Sequence, residues 1–384
     1  MINRNIIFAM LPTKQKLFMT LLLITTIVNL NNANACTTLT IKDNQGNIYQ
    51  GRTMEFGDGL PKVYLNYYPK GSKFKANAPV GSSPLNYDAK YAFIAATGIA
   101  DKSNQLLVAD GINTQGLTVA LNMFGQSKGS STTARTDILD ADSLGKWILS
   151  QFATTKEAAK AISQQPIWFE PTVFGKPFPF HIAVFDRSGS GIVLEFIEGK
   201  LTISDNPVGV MTNGPYFKWH LTNLNNYTTL SNIGNSTSIW NGYHIAFVDI
   251  GGNTLGLPSD DSSSGRFVRA VFYTNYAVKP DQSNATAVLG KIMNKFDRVN
   301  GVTRTNGKSS ESLSSRDTIN KSPSEWTIFT TLRDLNNNIY YIRTENSINY
   351  SKFDLNLIAQ KSQPFSIPFN DLDKPESIKL INND

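Results

Sequence analysis

One cysteine occurs in the 384-residue chain, Cys36, and it directly follows Ala33-Asn34-Ala35. Small residues one and three positions before it make a signal-peptidase site, and cutting there would put a thiol and a free α-amino group on one residue. In that arrangement the side chain attacks a carbonyl while its own α-amine takes the proton. An α-amine has a pKa of about 7.7–8.0, close to working pH, so no histidine is required as base. A thiol of pKa about 8.5 needs only a nearby cation to become largely thiolate. Two other readings of Cys36 stand beside this one. It is an ordinary residue after a cleavage site, or it carries the lipid of a lipoprotein, although Ala33 and Asn34 fit a lipobox poorly. A lone cysteine excludes an intrachain disulfide and a cysteine-based zinc cluster.

Residues 1–35 have the parts of a secretory signal. Lys14 and Lys16 precede Leu17 to Val28, an apolar run broken by Thr20, Thr25 and Thr26, and Asn29, Asn31 and Asn32 lead to the small residues. The run is about twelve residues, short of the roughly 20 that a membrane-spanning helix needs. Met10 is a second start that would shorten the basic region. The formal charge of +6 shrinks without Arg4, Lys14 and Lys16, which leave 33 bases against 30 acids. That balance, with no basic run, gives no footprint for nucleic acid. The expected product is exported, periplasmic or extracellular, with no stable membrane insertion after the signal is removed.

Other chemistries lack their motifs. No phosphate loop, G-x-G-x-x-G or H-E-x-x-H is present, no G-x-S-x-G elbow supports a hydrolase triad, and His181, His220 and His244 lack zinc-ligand spacing. His220 and His244 read as structural histidines.

The elements that must hold Cys36 begin with a hairpin: Thr37 to Ile41, the turn Asp43-Asn44-Gln45-Gly46, and Ile48 to Arg52. Strands are expected at 63–68, 92–96, 105–109, 117–123, 182–186, 192–197, 201–204, 208–212, 326–333 and 339–344. Helices are expected at 141–152, where Leu144, Trp147, Ile148 and Phe152 share a face, and at 156–162, 267–277 and 285–296. The polar stretch Ser309 to Ser324 reads as a loop. Residues 36–384 contain no Pro/Gly/Ser-rich linker and read as one domain. Strands, then helices, then strands again imply α+β layers with antiparallel sheets.

Five segments stand in order behind Cys36-Thr37-Thr38: Gly51-Arg52-Thr53-Met54-Glu55; Asp110-Gly111-Ile112-Asn113 through to Leu121-Asn122; Met211-Thr212-Asn213-Gly214-Pro215 with Trp219; Ser264-Gly265-Arg266-Phe267-Val268-Arg269; and Gly301-Val302-Thr303-Arg304 with Tyr340-Tyr341-Ile342-Arg343-Thr344. With them the chain resembles the choloylglycine hydrolase family, the conjugated bile salt hydrolases and penicillin V acylases, from Cys36 to about Asp373.

The resemblance implies an Ntn-hydrolase αββα sandwich and hydrolysis of a linear amide with an apolar acyl group. It implies Cys36 as nucleophile, Arg52 and Arg266 as cations beside it, Asn213 on the oxyanion and Asn122 lining the same site. Glu55 stands where the family usually has aspartate to orient the α-amine. Met54, Phe56, Met123 and Phe124 flank these positions and are expected at the acyl group, although core packing is an equal reading of each. No metal or cofactor is implied, and a homotetramer is the common assembly. The signal favours a penicillin V acylase-like or N-acyl homoserine lactone acylase-like enzyme over a bile salt hydrolase. A lipid-anchored or catalytically inactive binding protein is the alternative of another class.

Overall fold

Asp43 turns the chain back on itself: its Oδ1 accepts the backbone N–H groups of Gln45 and Asn47 at 2.9 and 2.8 Å, and Gly46 takes φ of +89°. The turn sets strand Cys36–Lys42 antiparallel to Ile48–Gly57, with Cys36 opposite Met54 and Thr38 opposite Arg52. The computed structural model describes residues 35–57, 62–100, 106–170, 172–173, 176–177, 179–234, 237–246, 251–304 and 324–373. The signal read in residues 1–35 (but for Ala35) and the loop read at 309–324 (but for Ser324) lie outside the described residues.

The Cys36 strand is interior to its sheet. The order is Val210–Met211, Cys36–Lys42, Ile48–Gly57, Ser324–Asp334, Ile339–Thr344, Ser351–Asp354, with Thr303–Arg304 also paired to Ser324–Asp334. A second sheet runs Lys200–Asp205, Gly191–Ile197, Phe180–Phe185, Thr118–Met123, Leu106–Asn113, Phe93–Ala100, Tyr64–Tyr68, Phe365–Pro368. Neighbours in both are antiparallel.

Helices cover the outer faces. Ser263–Tyr276 lies on the Cys36 strand, and Ala285–Met293 lies on Ile48–Gly57 and Ser324–Asp334. Across the molecule Ala141–Gln151 covers Leu106–Asn113 and Thr118–Met123, and Thr155–Ile162 covers Gly191–Ile197. Side chains cap three of these helices: Asp140, Thr154 and Ser262 accept from Ser143, Glu157 and Gly265 N–H. A Cβ on Gly51 would come 2.5 Å from Met293 Sδ, so the bare glycine lets its helix seat directly on the sheet. This is the αββα sandwich expected from the sequence.

The expected helices and strands appear with shifted ends. Helix 267–277 begins a turn earlier, because Ser262 caps it and Ser263 to Arg266 form its first turn. Expected strand 208–212 shortens to Val210–Met211, beyond which Thr212 and Asn213 turn into the site. A hairpin not expected, Thr237–Trp240 with Tyr243–Ala246, turns on Asn241-Gly242 with φ of +50° and +81°.

A buried charge cluster pins the sheets together. Asp110, from the second sheet, accepts Arg333 Nη2 and the Tyr340 hydroxyl (2.9 Å) and lies 3.9 Å from Arg52 Nε, all three from the first sheet and all fully buried. Asp110→Ala would leave two buried guanidinium groups without this carboxylate, and we expect a loss of about 3–5 kcal/mol, read from the urea midpoint. Tyr340→Phe removes one hydrogen bond and should cost about 1–2 kcal/mol.

Candidate active site

Cys36 opens its strand with no solvent exposure. The register fixes its surroundings: Arg52 and Met54, two apart on the neighbouring strand, point to the same face. Met54 Sδ lies 3.6 Å and Arg52 Nη2 3.8 Å from Cys36 Sγ. The thiol is pushed up by burial, a push that the positive charge of Arg52 opposes and the negative charge of Glu55 assists. Arg52 also donates to Leu121 O and, through Nε at 3.4 Å, to Asn122 Oδ1, which ties it to the second sheet.

The nitrogen of Cys36 is still a peptide nitrogen here and stands in for the α-amine of a processed chain. It donates to Asn213 Oδ1 at 2.7 Å. Arg266 closes the group: Nη1 reaches Cys36 O (2.6 Å) and Thr37 Oγ1 (2.7 Å), and Nη2 reaches Asn213 Oδ1 (2.8 Å). With Oδ1 held by two donors, Asn213 is left with Nδ2, which donates to Met123 O at 2.8 Å. Its backbone is fixed by Ser263 Oγ, which accepts its N–H at 2.9 Å, and by His220 Nε2, 2.9 Å from its carbonyl. Burial lowers His220 to about 4, so at neutral pH the ring is uncharged and donates from Nε2. His220 is therefore the structural histidine that the sequence suggested. Asn122 joins the group through Nδ2, which donates to Thr212 O at 2.7 Å. His181 braces the same carbonyl at 3.0 Å.

Glu55 lies fully buried near the same point, its N–H donating to Ala35 O at 3.2 Å. Oε1 accepts the Thr327 hydroxyl at 3.0 Å, and among the described residues Oε2 has no hydrogen-bond partner. Burial pushes this carboxyl up, against the pull of Arg266, the Thr53 hydroxyl, Arg298 and Thr327.

The five polar residues singled out from sequence besides Cys36 thus meet around its thiol, but the four expected at the acyl group do not stay together. A narrow cleft beside the thiol is lined by Met54, Val63, Gly98, Leu107, Ala109, Leu121, Ile328 and Phe329, with about 10 Å³ of free space, room for one water. Met54 is the only one of the four in it. Asn122 points at Arg52, so by strand alternation Met123 points away into the helix-covered core. Phe124 stacks flat on His181, ring centres 4.9 Å apart, and Phe56 is half-buried between the two cores. Ile328, Phe329 and Thr327 went unnoticed in the sequence, because their places depend on pairing between strands far apart in the chain, and Ser263 because it lies before the start expected for its helix.

The family model for linear amide C–N hydrolases, choloylglycine hydrolase family, matches residues 36–363. The chain belongs to the choloylglycine hydrolase family. It is 32% identical over 277 residues to a bile salt hydrolase/transferase of Lactiplantibacillus plantarum, covering 71% of this chain and 79% of that one. It is 28% identical over 266 residues to a penicillin V acylase of Pectobacterium atrosepticum, covering 67% and 64%. The fold is shared with a variant of conjugated bile acid hydrolase from Clostridium perfringens (TM-score 0.75, 24% identity, 90% of this chain and 100% of that one) and with penicillin V acylase from Agrobacterium tumefaciens (0.68, 20%, 86% and 90%). As a choloylglycine hydrolase family member, the chain is a hydrolase acting on carbon–nitrogen bonds in linear amides.

Arg52 supplies the main charge opposing burial of the thiol in this hydrolase. Arg52→Met should raise the pH midpoint of Cys36 alkylation by about one unit, and Arg52→Lys should raise it less. Mass spectrometry after a pulse of a small alkylator across pH reads this, with one cysteine to count.

Proposed function

We propose that this chain is an exported amidohydrolase in which Cys36, freed at its nitrogen, is the nucleophile of a thioester mechanism. The observation that carries this reading is the meeting at one buried residue of the only thiol, the Arg52 guanidinium on its sulfur and Asn213 on its nitrogen. In this mechanism the α-amine takes the thiol proton, directly or through one water, and the sulfur attacks the amide carbon. The oxyanion is held by Asn213 Nδ2, released from Met123 O, and by backbone N–H groups. Asn122 and Arg266 keep Asn213 and Cys36 in place, and Glu55 orients the amine. Collapse breaks the carbon–nitrogen bond as the ammonium protonates the leaving nitrogen, and water then cleaves the thioester by the same proton route.

The cleft lining is apolar throughout, which supports an apolar acyl group. With the signal in residues 1–35, we favour a penicillin V acylase-like or N-acyl homoserine lactone acylase-like enzyme, working as a single domain from Cys36 onward, periplasmic or extracellular, as a homotetramer. The second reading, a conjugated bile salt hydrolase, is favoured by the 32% identity to a bile salt hydrolase/transferase.

Assays with penicillin V, several acyl-homoserine lactones, glycocholate and taurocholate separate these readings. Cys36→Ser should be slowed by about 10³-fold or more and Cys36→Ala should be inert, with both folded. Full activity in Cys36→Ala would end the proposal. The mature N-terminus, read by mass spectrometry, should be an unmodified Cys36; a thioether-linked lipid would favour the anchored binding protein.

A further inference from the structure

The strand pairing beside Cys36 contains one irregularity. Met54 pairs with Phe329, but Glu55 pairs with Thr327, so Ile328 is an extra residue bulged from the ladder. In regular pairing Glu55 would face Ile328, and Thr327 would lie opposite Phe56. The bulge instead lets the consecutive residues Ile328 and Phe329 both line the apolar cleft, while Thr327 joins Glu55 on the other face.

We propose that Thr327 is a positioning residue for the reaction: its hydroxyl, brought across by the bulge, holds Oε1 of Glu55 and leaves Oε2 for the α-amine of Cys36. The inference rests on the reading of Glu55 as the acid that orients that amine. Four contacts support it. Thr327 Oγ1 donates to Glu55 Oε1 at 3.0 Å and accepts the Arg298 N–H at 2.8 Å, so its single proton has one direction left. Thr327 N–H returns a bond to Arg298 O at 3.1 Å, which fixes the backbone that carries the hydroxyl. Oε2 is buried and unpartnered among the described residues, and Glu55 N–H bonds the carbonyl of Ala35, the residue that processing removes. Freeing Cys36 creates a cation where this oxygen lacks a partner. The other charged groups facing Glu55 are Arg266 from the covering helix, Arg298 after the next helix, and Glu325 on Thr327's own strand, which is paired to Arg298 at 2.9 Å.

Thr327→Val keeps the shape and deletes the donor; Thr327→Ser keeps the donor. Losing a donor to the ionised carboxylate raises the pH at which Glu55 protonates. The acid limb of kcat/KM in Thr327→Val should therefore move up by about one pH unit, with kcat down about tenfold and KM nearly unchanged. Thr327→Ser should restore both. Burial and Glu55's charge push Glu325 to about 7, so the comparison is repeated in a Glu325→Gln background to remove its titration. An unmoved acid limb, or Thr327→Ser as impaired as Thr327→Val, overturns the proposal. An inert wild-type chain, or an active Cys36→Ala, overturns the hydrolase mechanism instead. Melting then still tests the contact: Thr327→Val should lose more Tm as the pH is raised and the carboxylate gains its charge, and a loss that does not change with pH overturns it.

Discussion

Arg266 joins three segments that the sequence keeps far apart. One buried guanidinium grips the carbonyl of Cys36, the hydroxyl of Thr37 and the side-chain oxygen of Asn213, and its Nε reaches Asp261 O at 3.1 Å. A fully desolvated cation is costly unless every donor finds an acceptor, and here the acceptors are the groups whose positions the chemistry needs. The cost is visible as a guanidinium lowered by burial to about 10. The covering helix must seat on the Cys36 strand for this contact to form, and the Ser262 cap fixes where that helix begins.

The same economy of charge runs through the space between the sheets. Arg52 and Arg333 share Asp110, so one carboxylate answers two cations, and the thiol is the next group within reach of Arg52. This leaves a positive bias around the sulfur inside a low-dielectric layer, where such a bias acts strongly.

What was legible in the chain follows from range. The opening hairpin declared itself through Asp43 and Gly46, and the helix at 141 through the shared face of Leu144, Trp147, Ile148 and Phe152, because each signal is local. The five polar residues around Cys36 came from ordered short motifs and do meet in space. Met123 misled because adjacency in sequence says nothing of face: one position along a strand reverses a side chain. Phe124 lies just past the end of that strand and stacks on His181. Ser263 lies before the start expected for its helix. Asn241-Gly242 was a local signal that went unused. Ile328 and Thr327 had no signal to give, since a bulge exists only relative to a partner strand 272 positions away.

That bulge has an evolutionary corollary. Within three consecutive codons, Thr327 serves the acid while Ile328 and Phe329 serve the cleft. On the proposed reading, drift at the latter two would reshape the cleft and leave the acid's hydrogen bond alone. Loss of a single codon here would instead exchange the two faces of the strand at once, so this stretch bears substitution more readily than deletion.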